Sequence, residues 1–149
     1  MAELTAIESW VGALLAKLSP AQRTAVARKT GQALRRSQSK RITAQKDPDG
    51  SPYKPRAKPK RIRNKAGGIR RRAMFAKLKT ARFMKVEASA DEVGVGFLGR
   101  AARIAKRHQE GSSRKVYGRL RTTPKRELLG LSDEDLDLVR STLLDHLTK

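Results

Sequence analysis

The fold is decided around residues 45–56, which read Gln45-Lys-Asp-Pro-Asp-Gly-Ser-Pro-Tyr-Lys-Pro-Arg56. Asp47 stands before a proline, which disfavours helical geometry at that residue. Gly50 permits a backbone conformation with positive φ, and Pro52 and Pro55 keep the following chain extended. The stretch therefore predicts that a helix ends here and that an extended arm begins.

The predicted arm covers residues 47–72, contains the joint Gly67-Gly68, and is strongly basic. Residues 50–86 carry 14 basic side chains and no acidic one. A free monomer cannot easily fold so much like charge onto itself, so the arm faces solvent, a polyanion or the acidic surface of another subunit. The candidate contact residues for a protein partner or DNA are Lys54, Lys58, Lys60, Arg61, Arg63, Lys65, Arg70, Arg71 and Arg72.

The chain before the arm predicts a helical hairpin over residues 1–46. Residues 3–18 repeat apolar side chains at helical spacing. Ser19 and Gln22 form the pattern of a capping box, with Pro20 at the first helical position. A second helix is expected to run to about Gln45, with its apolar face formed by Val26, Ala33, Leu34 and Ile42.

The chain after the arm, residues 73–126, predicts a small antiparallel β-sheet with one packed helix. Residues 82–88 and 92–97 alternate as a β-hairpin does, and residues 115–120 are predicted to be a further strand. Residues 100–109 return to helical spacing, and the predicted apolar side consists of Ala101, Ile104, Ala105 and His108.

The last segment, residues 127–149, predicts an acidic C-terminal helix that Ser132 caps. Its expected buried stripe is Leu136, Val139, Leu143 and Leu147. The acidic residues that complement a basic arm are Glu127, Asp133, Glu134, Asp135, Asp137 and Asp145. Together the segments predict an α+β fold in a single domain spanning residues 1–149.

The sequence offers little support for catalysis, a cofactor or a metal. There is no cysteine. Residues 94–99 spell GxGxxG, but no acidic residue follows at the spacing that ribose recognition needs, so we interpret Gly94 and Gly96 as strand glycines against which another backbone packs. His108 lies on an apolar helix face and is interpreted as a core or interface histidine.

Charge leaves two functions open. The net charge is +21, yet residues 127–149 carry −4. A basic segment and an acidic segment in one chain suggest packing between neighbouring copies. The alternative is a small basic protein that binds nucleic acid without sequence preference and with a steep salt dependence. The chain has no secretory signal and no apolar run long enough to cross a membrane, which predicts a protein made in a cytoplasm.

Three stretches together resemble one protein family. The first reads Ser37-Gln38-x-x-Arg41-Ile42-x-x-Gln45-x-x-Pro48-Asp49-Gly50-x-Pro52-Tyr53-x-Pro55-Arg56. The second is Val95-Gly96-Phe97, followed by Arg103-Ile104-Ala105-x-x-His108-Gln109-x-Gly111. The third is Pro124-x-Arg126-x-Leu128-Leu129-Gly130-Leu131-Ser132-x-x-Asp135, closing with Leu143-Leu144-x-His146-Leu147. This order is similar to that of the phage virion morphogenesis family, the tail completion proteins of contractile-tailed temperate phages.

The resemblance implies a non-enzymatic structural protein that acts in tail completion and head–tail joining, and that is found in the host cytoplasm during assembly and then in the tail or neck of the virion. It implies a homo-oligomeric ring, with sixfold symmetry favoured, that meets neck or connector proteins and tail tube or terminator proteins. DNA in the channel is a possible further contact. The turn that fixes where the arm leaves the body is then an assembly turn, formed by Pro48, Asp49, Gly50, Pro52, Tyr53, Pro55 and Arg56.

Overall fold

The structure, a computed structural model, describes residues 8–10, 12–13, 16–57 and 73–147. Residues 8–10 and 12–13 are helical. The elements that follow are α1 (Pro20–Thr43), β1 (Met84–Ala88), β2 (Val93–Phe97), α2 (Gly99–Glu110), β3 (Ser112–Val116), β4 (Arg119–Thr123) and α3 (Asp133–Leu147). This mixture of helices and short strands confirms the predicted α+β class.

The start of α1 confirms the predicted capping box. The Ser19 amide donates to Oε1 of Gln22 at 2.9 Å, and the Gln22 amide donates to Oγ of Ser19 at 3.3 Å. These two bonds satisfy backbone donors that the first turn of a helix leaves without an intrahelical partner. The packing of the predicted helical hairpin involves residues outside the described ones and stays a prediction.

The strands form two separate two-stranded sheets, where the sequence predicted one small sheet. Strands β1 and β2 are neighbours joined by a short loop, in which the Ser89 amide donates to the Glu92 carbonyl at 2.8 Å. Strands β3 and β4 pair antiparallel, from Ser112 opposite Thr123 to Val116 opposite Arg119.

The prediction of a single strand over residues 115–120 was wrong, because the chain reverses inside that range. Tyr117 and Gly118 have φ values of 49° and 73°. Positive φ at both central residues is the signature of the two-residue turn whose twist matches that of a β-hairpin. The Gly118 signal was present in the sequence, but a tyrosine at the first turn position concealed it.

The chain divides into two compact units, Met1–Ser37 with Lys85–Gly96 and Leu131–Lys149, and Gln38–Met84 with Phe97–Gly130. The prediction of a single domain stays a prediction.

In the first unit, α1 packs closely on the β1–β2 hairpin at Gly31. A Cβ at this position would collide with the Val86 side chain and would lie 2.7 Å from Cγ2 of Val93. Val26, one turn earlier on α1, is only 1% exposed. A glycine in mid-helix normally costs stability, so its place here is explained by the close approach of the two elements.

Helix α3, also in the first unit, begins as predicted at a Ser132 cap. The Ser132 Oγ accepts a bond from the Asp135 amide, and the Asp135 carboxylate accepts bonds from the Ser132 amide and hydroxyl. Of the predicted apolar stripe, Leu143 is buried, and the other three members are half-buried.

In the second unit, the largest fully buried side chains are Ile42, Met84 and Leu128. Ala101 and Ala105 of α2 are also buried, as predicted, but Ile104 is 48% exposed. The prediction of Ile104 on the buried side was therefore wrong. The buried residues of this helix are both alanines, whose small side chains allow close approach of the helix to its neighbours.

Candidate assembly surfaces

The predicted assembly turn is a compact, internally hydrogen-bonded turn in the second unit. The Gly50 amide donates to the Asp47 carbonyl at 2.9 Å, and the Asp47 amide donates to the Ser51 carbonyl at 2.8 Å. Gly50 has the predicted positive φ, at 84°. The Asp49 carboxylate accepts bonds from the Ser51 amide and hydroxyl, which lower the pKa of Asp49. The sequence Asp-Gly-Ser thus supplies both the bend and its local bonds.

Tyr53 fastens the end of this turn to the body of the second unit. Its side chain is 5% exposed, and its ring lies edge-on to Phe75 at 5.8 Å. The hydroxyl donates to the Glu127 carbonyl at 3.3 Å. Burial raises the pKa of Tyr53 to about 12. This packing holds the turn in place, while the role of the turn in assembly stays a prediction.

The loop from Arg126 to Gly130 is the centre of a polar framework. Arg126 is only 3% exposed and donates to the carbonyls of Lys54 at 2.6 Å and Pro55 at 2.9 Å. One guanidinium nitrogen also lies 3.2 Å from Nδ1 of His108. The pKa of Arg126 is lowered, mainly by desolvation. A buried guanidinium needs several acceptors, and the chain after the turn provides them.

The side chain of Gln109, at the end of α2, binds the backbone of the same loop. Its Oε1 accepts bonds from the amides of Leu128 at 2.8 Å and Leu129 at 3.0 Å. Its Nε2 donates to the Leu129 carbonyl at 2.7 Å. The side-chain amide thus uses both of its acceptor positions and one of its two N–H donors in bonds to the backbone.

Helix α1 holds the loop from another element. Arg41 donates to the carbonyls of Glu127 at 2.9 Å and Leu128 at 3.0 Å, and Oε1 of Gln38 accepts a bond from the Gly130 amide at 3.2 Å. The Asp47 carboxylate accepts a bond from the Glu127 amide at 2.6 Å. Residues from each of the three sequence stretches that resemble one family thus meet in the second unit, where Gln38, Gln109 and Arg126 are internal parts of the framework.

The framework fixes both ends of the basic arm. Arg126 holds the backbone carbonyls of Lys54 and Pro55, while the side chains of both residues are exposed. At the other end, the Gln45 side chain bonds both the amide and the carbonyl of Met74, each at 2.9 Å. The predicted arm cations Lys58, Lys60, Arg61, Arg63, Lys65, Arg70, Arg71 and Arg72 lie outside the described residues.

The predicted acidic surface is smaller than the sequence suggested. Asp135 is 1% exposed and also accepts a bond from the Ser37 hydroxyl, so its prediction as a surface for a partner was wrong. A first-turn acid that caps its own helix is used internally. Glu127 is half-buried and pairs with Lys125, whose pKa this pairing raises. The exposed acids that remain are Asp133, Glu134, Asp137 and Asp145.

The β3–β4 hairpin is a charged surface that the sequence analysis did not single out. It carries Arg114, Lys115, Arg119 and Arg121, and its turn residue Tyr117 is 98% exposed. In the sequence these four cations were not distinctive, because basic residues are frequent along the chain. Only the strand register brings them together.

The two motifs weighed for chemistry are His108 and the glycines of residues 94–99. His108 is half-buried, with its ring 4.8 Å from that of Phe75, as interpreted from the sequence. Its pKa is lowered by desolvation and by the neighbouring guanidinium groups of Arg126 and Arg107. The close-packing interpretation of Gly94 and Gly96 was wrong, because a Cβ at either position would meet no described atom within 4 Å.

Within the described part of the chain, no group of three or more His, Asp or Glu side chains is arranged to hold a metal ion. None of the helices built from these residues has both the length and the apolar character needed to span a membrane.

The sequence was compared with families, curated proteins and solved structures. The family model of the phage virion morphogenesis family matches residues 2–148. The chain is 37% identical over 152 residues to the tail completion protein S of Escherichia phage P2, with 100% of each chain covered. No solved structure matches it. With its framework motifs and nearly its whole length accounted for, this chain belongs to the phage virion morphogenesis family.

Proposed function

We propose that this chain completes the tail of a phage and joins it to the head, as a ring at the end of the tail. This goes beyond the structural role in phage virion morphogenesis that its family membership gives. The observation that carries the proposal is the full-length match to a protein named for tail completion. Because the match covers the whole chain, it includes the framework as well as the charged segments attached to it.

The charge layout supports a head-to-tail ring. An interface between two different patches of the same chain closes into a ring when the rotation between copies permits it. The chain has a basic majority and an acidic C-terminal segment of net charge −4. The exposed acids of α3 form one such patch. Basic segments, including the arm, supply the other patch or contact a neck protein, a tail protein or DNA in the channel.

The framework supports a fixed exit for the basic arm. Arg126 and Tyr53 hold the first part of the arm, and Gln45 holds Met74, just after the end of the arm. Holding both ends reduces the conformational entropy that the arm loses when it binds a partner. We therefore propose that the turn and its framework orient the arm for assembly, and that the protein acts without a catalytic step.

The first test is the mass of the nuclease-treated protein by light scattering at low and moderate salt. A discrete oligomer free of nucleic acid supports the ring, and its mass gives the ring order. A monomer that gains mass only with added DNA or RNA, and loses it steeply with salt, supports the nucleic-acid-binding alternative.

The second test is complementation of a phage that lacks its own gene of this family. Expression of this chain is expected to convert separate tails and filled heads into joined virions, counted by electron microscopy and plaque titre. A Gly50→Ala/Pro52→Ala variant is expected to stay folded and fail to assemble, because it loosens the turn without touching the framework. Joined virions at the wild-type level with that variant would contradict the role of the turn.

A further inference from the structure

The β3–β4 hairpin is exposed on both faces and carries apolar side chains at its tip. Tyr117 is 98% exposed and Leu120 is 67% exposed. Neither strand pairs with a third strand among the described residues. A two-stranded hairpin gains little stability from its own strands, so a partner that covers one of its faces would stabilise it.

One face of the hairpin is an arginine face, formed by Arg114, Arg119 and Arg121. Arg114 lies directly opposite Arg121, and Arg119 lies opposite Val116 on the same face. Like charges in directly opposed positions destabilise a strand pair. None of these arginines forms an ion pair with any residue that the structure describes. The face therefore lacks the anion that would offset its repulsion within the described part of the molecule.

The chain carries a complementary surface in the first turn of α3. Asp133 and Glu134 are exposed there, and neither is ion-paired within the described ranges. Asp137, one turn later, already pairs with Arg140 at 2.9 Å. Leu131, just before the helix, is 60% exposed. An acidic pair beside an exposed leucine matches an arginine face that ends at the exposed turn residue Tyr117, whereas Leu120 lies opposite Lys115 on the other face of the hairpin.

We propose that the arginine face of the hairpin docks on the acidic first turn of α3 of a second copy of this chain. The contact joins two different patches and therefore propagates head to tail. This inference rests on the homo-oligomer proposed above. The sequence analysis predicted that the basic arm meets the acidic C-terminal helix of a neighbouring copy, and the inference assigns that contact to the hairpin. DNA is the less favoured partner, because phosphates would neutralise the arginines but offer no apolar side chain such as Leu131 to the exposed ring of Tyr117.

Charge reversal tests the contact, with three variants measured by light scattering beside the wild type. Arg114→Glu/Arg121→Glu makes the hairpin acidic, and Asp133→Lys/Glu134→Lys makes the helix turn basic. Each variant alone is expected to be monomeric, because each places like charges at every interface. Arg100→Glu/Arg103→Glu is the matched control, since it makes the same change of net charge on exposed positions of α2 and should assemble as the wild type does.

Mixing the two reversed variants restores complementarity at every interface of a ring with an even number of subunits, such as the favoured sixfold ring. The native hairpin of one meets the native helix of the other, and the acidic hairpin meets the basic helix. The equimolar mixture should recover the wild-type mass, and so should one chain carrying all four substitutions. This rescue also excludes misfolding as the cause of the loss.

The outcomes separate the two proposals. An oligomeric wild type whose hairpin variant keeps the same mass overturns the docking contact and leaves the ring intact. The same result with weaker binding to a DNA duplex assigns the arginine face to nucleic acid instead. A wild type that is monomeric at all concentrations overturns both the ring and this contact.

Discussion

Replacing Gln109 by leucine tests whether the family motif is a folding framework. Leucine is close to glutamine in size, but it cannot make the two bonds accepted from Leu128 and Leu129 or the one donated to the Leu129 carbonyl. Each neutral hydrogen bond contributes about 0.5–1.5 kcal/mol net. The loss of three bonds is therefore expected to lower the free energy of unfolding by about 3 kcal/mol.

The assay is thermal and urea unfolding followed by far-UV circular dichroism at one fixed protein concentration, because assembly raises apparent stability. For a chain of this length, about 3 kcal/mol corresponds to a melting temperature about 6–12 °C lower. Gln32→Leu is the control, since Gln32 is exposed on α1 and such a change normally stays within about 0.5 kcal/mol.

Gln109→Glu separates the contribution of the accepted bonds from that of the donated bond. The variant keeps an acceptor for the two amides but places an oxygen against the Leu129 carbonyl. Its loss of unfolding free energy at neutral pH should therefore be smaller than that of Gln109→Leu. The loss should shrink further as the carboxyl protonates and can donate again. Unfolding free energies within 1 kcal/mol for Gln109→Leu and Gln32→Leu would refute the framework.

Three further predictions concern single positions. Gly130→Ala should lower stability by about 1–3 kcal/mol, because its Cβ would lie 2.5 Å from Cγ of Pro48; urea unfolding that matches the wild type would show that the turn yields freely. Asp135→Ala should cost about 2–4 kcal/mol by leaving buried hydroxyl partners unsatisfied, and Ser132→Ala only about 1 kcal/mol; equal losses in thermal melts would contradict this order. The lowered pKa of His108 predicts that its contribution to stability is complete above its ordinary pKa of 6.5 and is lost as the pH falls through the lower folded value. His108→Gln should flatten that part of the stability–pH profile, and an unchanged slope would remove His108 as its source.

The class of the fold, the helix starts and the turn followed from local chemistry. Ser19 and Gln22 predicted a helix start, Gly50 predicted a positive φ, and Ser132 predicted a helix cap. Each of these signals acts within a few residues, so the sequence carries it complete. The resemblance to the family was likewise visible, because its motifs are spread along the whole chain in order.

Side-chain partners were decided by tertiary structure. Asp135 looked like a surface acid, but the hydroxyl of Ser37, 98 positions away, completes its buried site. Ile104 looked like a core residue, but the helix packs through alanines. The motif itself looked like an interface, whereas Arg126, Gln109 and Arg41 direct most of their bonds to backbone of the same unit.

The sequence by itself determined the α+β class, the helix starts, the turn at Gly50 and the separation of basic from acidic segments. Only the tertiary structure decided which of these charged side chains remain exposed and which are buried in internal hydrogen bonds. It also brought Arg114 and Arg121 face to face. The physical reason is that propensity and capping are local, whereas burial and register depend on residues far apart in the chain, which the sequence pattern does not pair.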